Sequence, residues 1–279
     1  GKRLRPLFLL SSARLAGYKG DGHITLAGII ELIHMASLLH DDVVDAAKIR
    51  RGREAAHSVW GNQIVILVGD FLYSNALRKA VSFKDQRIME ALSEATTSMT
   101  EGEILQLQKT ADINITEDEY IKIISAKTGL LISAACRIGA ILSVRPPAEE
   151  NAFAMFGLKA GTAFQMADDI LDYMAEESEL GKKLGKDIGE GKITLPVIYL
   201  FKNASADEKE EIKRIIEKPS EEGLRRILAL FRQYSVLEES LKRAQALVDE
   251  AKDELSIFSD SPDRDAMLSL ADYAISRDK

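Results

Sequence analysis

The chain has 279 residues and a formal net charge of −7, enough length for one large domain or two ordinary ones. Apolar residues make up 46% but aromatics only 6%, with six prolines, and a mixture rich in Ala, Leu, Ile, Glu and Lys favours an all-helical protein over a sheet protein. The acidic balance argues against a nucleic-acid partner, no apolar run reads as long enough to span a membrane, and neither a transmembrane segment nor a signal peptide is expected.

The opening GKRLRPLFLLSSARLAG places Pro6 in a first helical turn, followed by an amphipathic run. It begins like a loop-to-helix junction, so upstream residues are expected. Helical periodicity then continues almost without interruption, and no segment alternates as a strand does. The predicted helices cover 5–16, 24–46, 63–82, 86–108, 117–145, 148–176, 194–203, 206–217, 220–234, 235–258 and 263–275. Breaks fall at 17–22, 51–61, 112–116, 145–147 and in the Gly/Lys-rich LGKKLGKDIGEGK of 180–192. Thr116 with Glu119 forms a capping-box signature. No linker or low-complexity tract divides the chain, which reads as a single domain. The one cysteine, Cys136, lies in the apolar LLISAACRIGAIL. It has no partner for an internal disulfide, and a reduced, cytoplasmic compartment follows as the simplest reading.

The predicted helix over 24–46 ends in LLHDDVVD, with Arg50 and Arg51 just beyond. Residues four apart share a helix face, so Asp41 and Asp45 project together, about 6 Å apart along the axis, while Asp42 is turned by about 100°. Like-charged carboxylates at that spacing repel unless a cation sits between them, and hard oxygen ligands with room for water and phosphate suit Mg²⁺. His34 lies two turns earlier on nearly the same stripe. Alone, such a pair reads as a solvated charged face. The reading changes because FQMADDILDY repeats it: Asp168 and Asp172 again share a face, with Gln165 on their stripe. Two apolar helices ending in aspartate clusters can hold several Mg²⁺ ions across a cavity.

Cations complete the pattern. Lys2 and Arg5 open the chain, Arg50 and Arg51 follow the first acidic motif, and Lys182 and Lys192 follow the second. Lys127 and Thr128 interrupt an apolar helix in AKTGLL, where Lys-Thr-Gly is otherwise costly. Taken singly, Lys182, Lys183 and Lys186 read as solvated. As a set, the cations and two acidic clusters describe a site for two phosphorylated ligands, one held through metal and one by direct Lys/Arg contacts.

These segments, GKRLRP, LLHDDVVD with RRG, VGDFLYSNAL, EGEILQL, AKTG, FQMADDILDY and LGKKLGKDIGEGKITLP, resemble in order the motifs of the trans-isoprenyl diphosphate synthases. The match covers residues 1 to about 200; the C-terminal third matches loosely, through LADYAISRDK. The resemblance implies an all-α, single-domain helical bundle around a deep central cavity, the isoprenoid synthase type I fold, assembled as a homodimer. The family carries a further Gly and helices upstream, so 1–279 reads as one polyprenyl synthetase domain lacking its N-terminal helices.

By the same resemblance, Asp41, Asp45, Asp168 and Asp172 bind Mg²⁺ and through it an allylic diphosphate, farnesyl or similar. Arg50, Lys127, Thr128, Gln165, Lys182 and Lys192 assist that substrate, and Lys2, Arg5, His34 and Arg51 hold isopentenyl diphosphate. Lys127, Thr128 and Gln165 take the catalytic roles, the Thr128 hydroxyl and Gln165 carbonyl stabilising the allylic cation by their dipoles. The departing diphosphate takes the proton. An allylic tail anchored at Asp41 runs back past Ser37 and Ala36 towards Ile33 and Ile30. Short-chain members of the family place an aromatic residue at one of these positions; here both are small, which implies a long-chain product near octaprenyl length.

Three other readings share parts of the pattern. A short-chain farnesyl or geranylgeranyl synthase has the same motifs, a class I terpene cyclase has no need of GKRLRP, and a non-catalytic partner subunit tends to lose aspartates.

Overall fold

In the computed structural model, which describes residues 3–50, 52–174 and 186–276, helical periodicity becomes fourteen α-helices among the described residues. They are α1 (Leu4–Leu15), α2 (Gly22–Val44), α3 (Ala56–Trp60), α4 (Asn62–Val81), α5 (Gln86–Gln108), α6 (Glu117–Ile124) and α7 (Leu130–Leu142), then α8 (Pro147–Met174), α9 (Lys186–Gly189) and α10 (Leu195–Asn203). The last four are α11 (Ala206–Glu217), α12 (Glu221–Gln233), α13 (Val236–Glu254) and α14 (Pro262–Tyr273). The all-α expectation holds.

The chain groups into two compact units, Gly1–Thr96 with Ala134–Ala154, and Thr97–Ser133 with Met155–Lys279. Helices α5, α7 and α8 contribute residues to both. In the first unit α2 packs against α1 and α4. Its buried residues Leu26, Ile29, Ile30, Ile33 and Ala36 recur at helical spacing, a stripe in which each large side chain contributes about 1.5–3 kcal/mol. In the second unit α10 packs on α12 and α13, and α14 on α13. The amphipathic α12 buries Leu224, Ile227, Leu230 and Phe231.

Local signals set several boundaries. Thr116 and Glu119 make the expected capping box at α6, and Ser205 with Glu208 makes a second at α11. Such a cap is worth about 1 kcal/mol. Three features depart from the sequence expectation. The segment over 51–61 contains the five-residue α3 and half of a small hairpin, in which β1 (Ile49–Arg50) pairs antiparallel with β2 (Arg53–Glu54). The continuous helix expected over 117–145 is interrupted by a π-turn at Ser125–Gly129. Finally, Gly22–Val44 and Glu117–Leu142 are both long and apolar enough to cross a membrane by length and composition, which corrects the reading that no apolar run attains such length. The helix-period stripe of a core helix supplies the same apolar count. In the second stretch 67% of the most apolar window is buried within the protein.

Candidate active site

The first acidic motif closes α2. Asp45 caps the helix, its N–H bonding the Asp41 carbonyl at 2.8 Å, and the last turn carries no basic residue. Carboxylates at the negative pole of a helix dipole are destabilising unless a cation compensates. Asp42 has one: it is only 5% exposed and accepts a 2.7 Å hydrogen bond from Arg50 on β1. The predicted 100° turn of Asp42 away from its neighbours therefore has a purpose, fixing Arg50. Asp41 and Asp45 lie half-buried on the adjoining face.

Upstream on α2, the Arg5 guanidinium lies 3.0 Å from His34 Nε2. Guanidinium only donates, so Nε2 is the acceptor in this contact. The structure thus joins two of the residues expected to bind isopentenyl diphosphate. Ser37 is half-buried and its hydroxyl bonds the His34 carbonyl at 2.9 Å, whereas Ala36 is buried in the core at 2% exposure.

The second unit builds its polar site around the π-turn. The extra residue per turn breaks the ordinary ladder, a distortion common at functional sites. Lys127 projects from it to Glu103 at 2.5 Å and to Gln106 Oε1 at 2.9 Å, both on α5. Thr128 is 5% exposed and donates to Gln165 Oε1 at 2.8 Å. Gln165 in turn donates its amide N–H to Asp169 Oδ1 at 2.8 Å, and the Tyr120 hydroxyl donates to Asp169 Oδ2 at 2.7 Å. Burial pushes the Asp169 carboxyl up to about 7, with Asp187 adding to the rise, while the bonds from Gln165 and Tyr120 pull it back. The Gln165 carbonyl expected to face the reacting carbon is therefore already engaged by Thr128. Asp168 is half-buried and Asp172 exposed on α8. Lys192 pairs with Glu190 at 2.8 Å.

Lys2, Arg51, Lys182 and Lys183 lie outside the described residues. The residues that sequence reasoning left unassigned are Asp42, Glu103, Gln106, Tyr120 and Asp169. A signal existed for the carboxylates: an acidic residue in an otherwise apolar helix needs a partner. Glu103 and Gln106 lie in EGEILQL, a motif noted without assigning its residues.

Among the described residues no three His, Cys, Asp or Glu side chains gather as a metal cage. That arrangement is compatible with Mg²⁺, which takes one or two carboxylates and completes its shell with water and phosphate oxygens. The donor chemistry fits, because Asp41 and Asp45 are hard oxygen ligands on one face at a negative helix pole.

In an all-helical chain, two i,i+4 aspartate pairs and a lysine on a π-turn are groups suited to divalent metal and phosphate. A family model described as polyprenyl synthetase matches residues 1–231. Octaprenyl diphosphate synthase from Escherichia coli (strain K12) is 39% identical over 280 residues, covering 100% of this chain and 87% of that protein. Among solved structures, a decaprenyl diphosphate synthase from Rhodobacter capsulatus matches with a TM-score of 0.94 and 39% identity, covering 99% of this chain and 85% of the other. A polyprenyl synthase from Caulobacter crescentus CB15, complexed with calcium and isoprenyl diphosphate, matches at 0.93 and 41%, covering 99% and 85%. The fold is that of the isoprenoid synthases. The chain belongs to the polyprenyl synthetase family.

Proposed function

We propose that this chain is a Mg²⁺-dependent trans-prenyltransferase that condenses an allylic diphosphate, farnesyl or similar, with successive isopentenyl diphosphates to a long-chain all-trans product near octaprenyl length. One observation carries the reading beyond family membership. Each of two helices ends in an aspartate triplet whose first and last members lie four residues apart, the spacing that puts both carboxylates on one face. The outer pairs, Asp41 with Asp45 and Asp168 with Asp172, are the metal ligands in this reading. The Caulobacter relative complexed with calcium and isoprenyl diphosphate supports it.

Bound there, Mg²⁺ supplies Lewis-acid stabilisation of the charge on a departing diphosphate. The protein's own groups do the rest. Arg50, Lys127, Lys182 and Lys192 attract the allylic diphosphate, and Lys2, Arg5, His34 and Arg51 hold isopentenyl diphosphate. The allylic C–O bond breaks, the isopentenyl double bond forms the new C–C bond, and the departing diphosphate accepts the proton released. Thr128, oriented by Gln165, presents dipole density where positive charge develops.

A homodimer belongs to the same reading. Ile64, Leu67, Val68 and Phe71 are 55%, 66%, 43% and 66% exposed, one apolar stripe along α4 at helical spacing that a second copy would cover, and Trp60 at the end of α3 is 62% exposed as well. We also read α2 as a core helix rather than a membrane span, because its apolar stripe is buried against its neighbours. Cytoplasmic localisation rests on the lone, buried Cys136.

The decisive experiment measures isopentenyl incorporation with farnesyl diphosphate and Mg²⁺, with products separated after dephosphorylation. Asp41→Asn and Asp168→Asn should each lower turnover by several orders of magnitude at an unchanged unfolding midpoint. Near wild-type turnover in either variant would sink the metal assignment. Hydrocarbon formed from the allylic substrate alone would point instead to a cyclase.

A further inference from the structure

We propose that Tyr120 is a positioning residue for prenyl transfer: with Asp169 it fixes the direction of the Thr128 hydroxyl, and so which pole Thr128 offers the reacting carbon. The inference rests on the role given above to Thr128. Its observation is a four-membered chain, Tyr120 to Asp169 at 2.7 Å, Gln165 to Asp169 at 2.8 Å and Thr128 to Gln165 at 2.8 Å.

The polarity of the chain is determined from one end. Both carboxylate oxygens of Asp169 accept in the structure, Oδ1 from the Gln165 amide N–H and Oδ2 from the Tyr120 hydroxyl. Gln165 therefore turns its amide nitrogen to Asp169, which leaves its carbonyl facing Thr128. A carbonyl also only accepts, and a hydroxyl has one proton and two lone pairs. Thr128 spends that proton on Gln165 and keeps lone-pair density for whatever lies on its other side. That is the pole an allylic cation requires, preset before charge develops.

An amide is nearly symmetric in shape, so a Gln165 not held by Asp169 could present its N–H₂ to Thr128 instead. Thr128 would then accept, and its proton would point towards the developing cation. Tyr120 guards against this by holding the second carboxylate oxygen. It is 3% exposed and sits on α6, just before the π-turn that carries Thr128. Its phenol acts through Asp169 rather than on substrate. Nothing in the sequence pattern assigned it, because the partner lies 49 residues away.

Tyr120→Phe removes the hydroxyl and keeps the ring. With farnesyl and isopentenyl diphosphates at saturating Mg²⁺, kcat should fall about tenfold, the scale of one hydrogen bond, while both KM values stay within about twofold. Thr128→Val should also lower kcat, and the double variant should be no slower than Thr128→Val alone, since the first residue acts through the second. A purely structural tyrosine would lower the unfolding midpoint, and its rate effect would multiply with that of Thr128→Val. Wild-type kcat in a folded Tyr120→Phe enzyme, or multiplying effects in the double variant, overturns the proposal. Should Tyr120→Phe fail to fold, Asp169→Asn replaces it in the same cycle with the same two readings. A wild-type kcat in Thr128→Val would instead remove the role given to Thr128 itself, and the inference with it.

Discussion

A single added methyl group at Gly161 tests whether the π-turn holds the groups proposed as catalytic in register. A Cβ at Gly161 on α8 would lie 2.8 Å from the Gly129 Cα, 3.1 Å from Ile132 Cδ1 and 3.3 Å from Ile132 Cβ. Non-bonded carbons rest at about 3.5–4.0 Å, so α8 and the π-turn must part by about 1 Å. The end of Ile132 can rotate away, but the Gly129 backbone cannot. Gly129 follows Thr128 directly, and Gln165 lies one turn beyond Gly161, so the displacement falls on the 2.8 Å Thr128–Gln165 bond. Overpacking of this kind costs about 1–3 kcal/mol, and a 1 Å misplacement costs about 100-fold in rate. Gly161→Ala should therefore fold with a lowered midpoint and lose about 10- to 100-fold in kcat at a temperature where it is fully folded. Gly28 supplies the contrast: on α2, with nothing within 4 Å of an added Cβ, Gly28→Ala should stabilise by about 0.5–1 kcal/mol. Thermal unfolding and steady-state kinetics on both variants decide the matter. Wild-type kcat and midpoint in Gly161→Ala, or a rate loss that merely tracks the unfolded fraction, would refute the reasoning.

Two further predictions concern product and assembly. Ser37→Phe should shorten the product towards farnesyl or geranylgeranyl length with activity retained, since Ser37 is half-buried and lies about one turn, or 6 Å, before Asp41; unchanged chain lengths on chromatography would remove Ser37 from the tail path. Ala36→Phe is the poorer test, because at 2% exposure the ring would overpack the core. Leu67→Glu, placing a charge in the middle of the exposed α4 stripe, should convert a dimer to a monomer by light scattering with the fold intact, and a dimer that persists would move the interface elsewhere.

The fold was legible wherever one helix face repeats. The stripes of α2 and α12 and the capping box at Thr116 each state a local rule that packing then obeys. The hairpin and α3 were not legible, because two-residue strands and a five-residue helix are too short for a period to repeat. The π-turn was half legible. A Lys-Thr-Gly inside an apolar run signalled something other than plain helix, but the choice of an extra residue in the turn depends on tertiary partners. Those partners are Glu103 and Gln106 for Lys127, Gln165 for Thr128, and the close approach of Gly161 to Gly129. They come from α5 and α8, between 21 and 37 residues away where hydrogen-bonded.

The two acidic motifs carry the same lesson in chemical form. Helical geometry puts the first and last aspartates of each triplet on one face and turns the middle one aside, which the sequence alone states. What it leaves unsaid is the use made of the third carboxylate. A buried carboxylate without partners is costly, and each unit meets that cost differently. Asp42 is matched by a cation, Arg50, so the ion pair fixes a positively charged side chain beside the first motif. Asp169 is matched by neutral donors, Tyr120 and Gln165, so it aligns dipoles rather than a cation. In the proposed function the first unit's middle aspartate organises Arg50, a group for substrate charge, and the second unit's organises Gln165 and Thr128, groups for a charge that develops during reaction. In that same proposed function the outer aspartates of both motifs are the ones that take metal and diphosphate, and the middle ones set the groups around them.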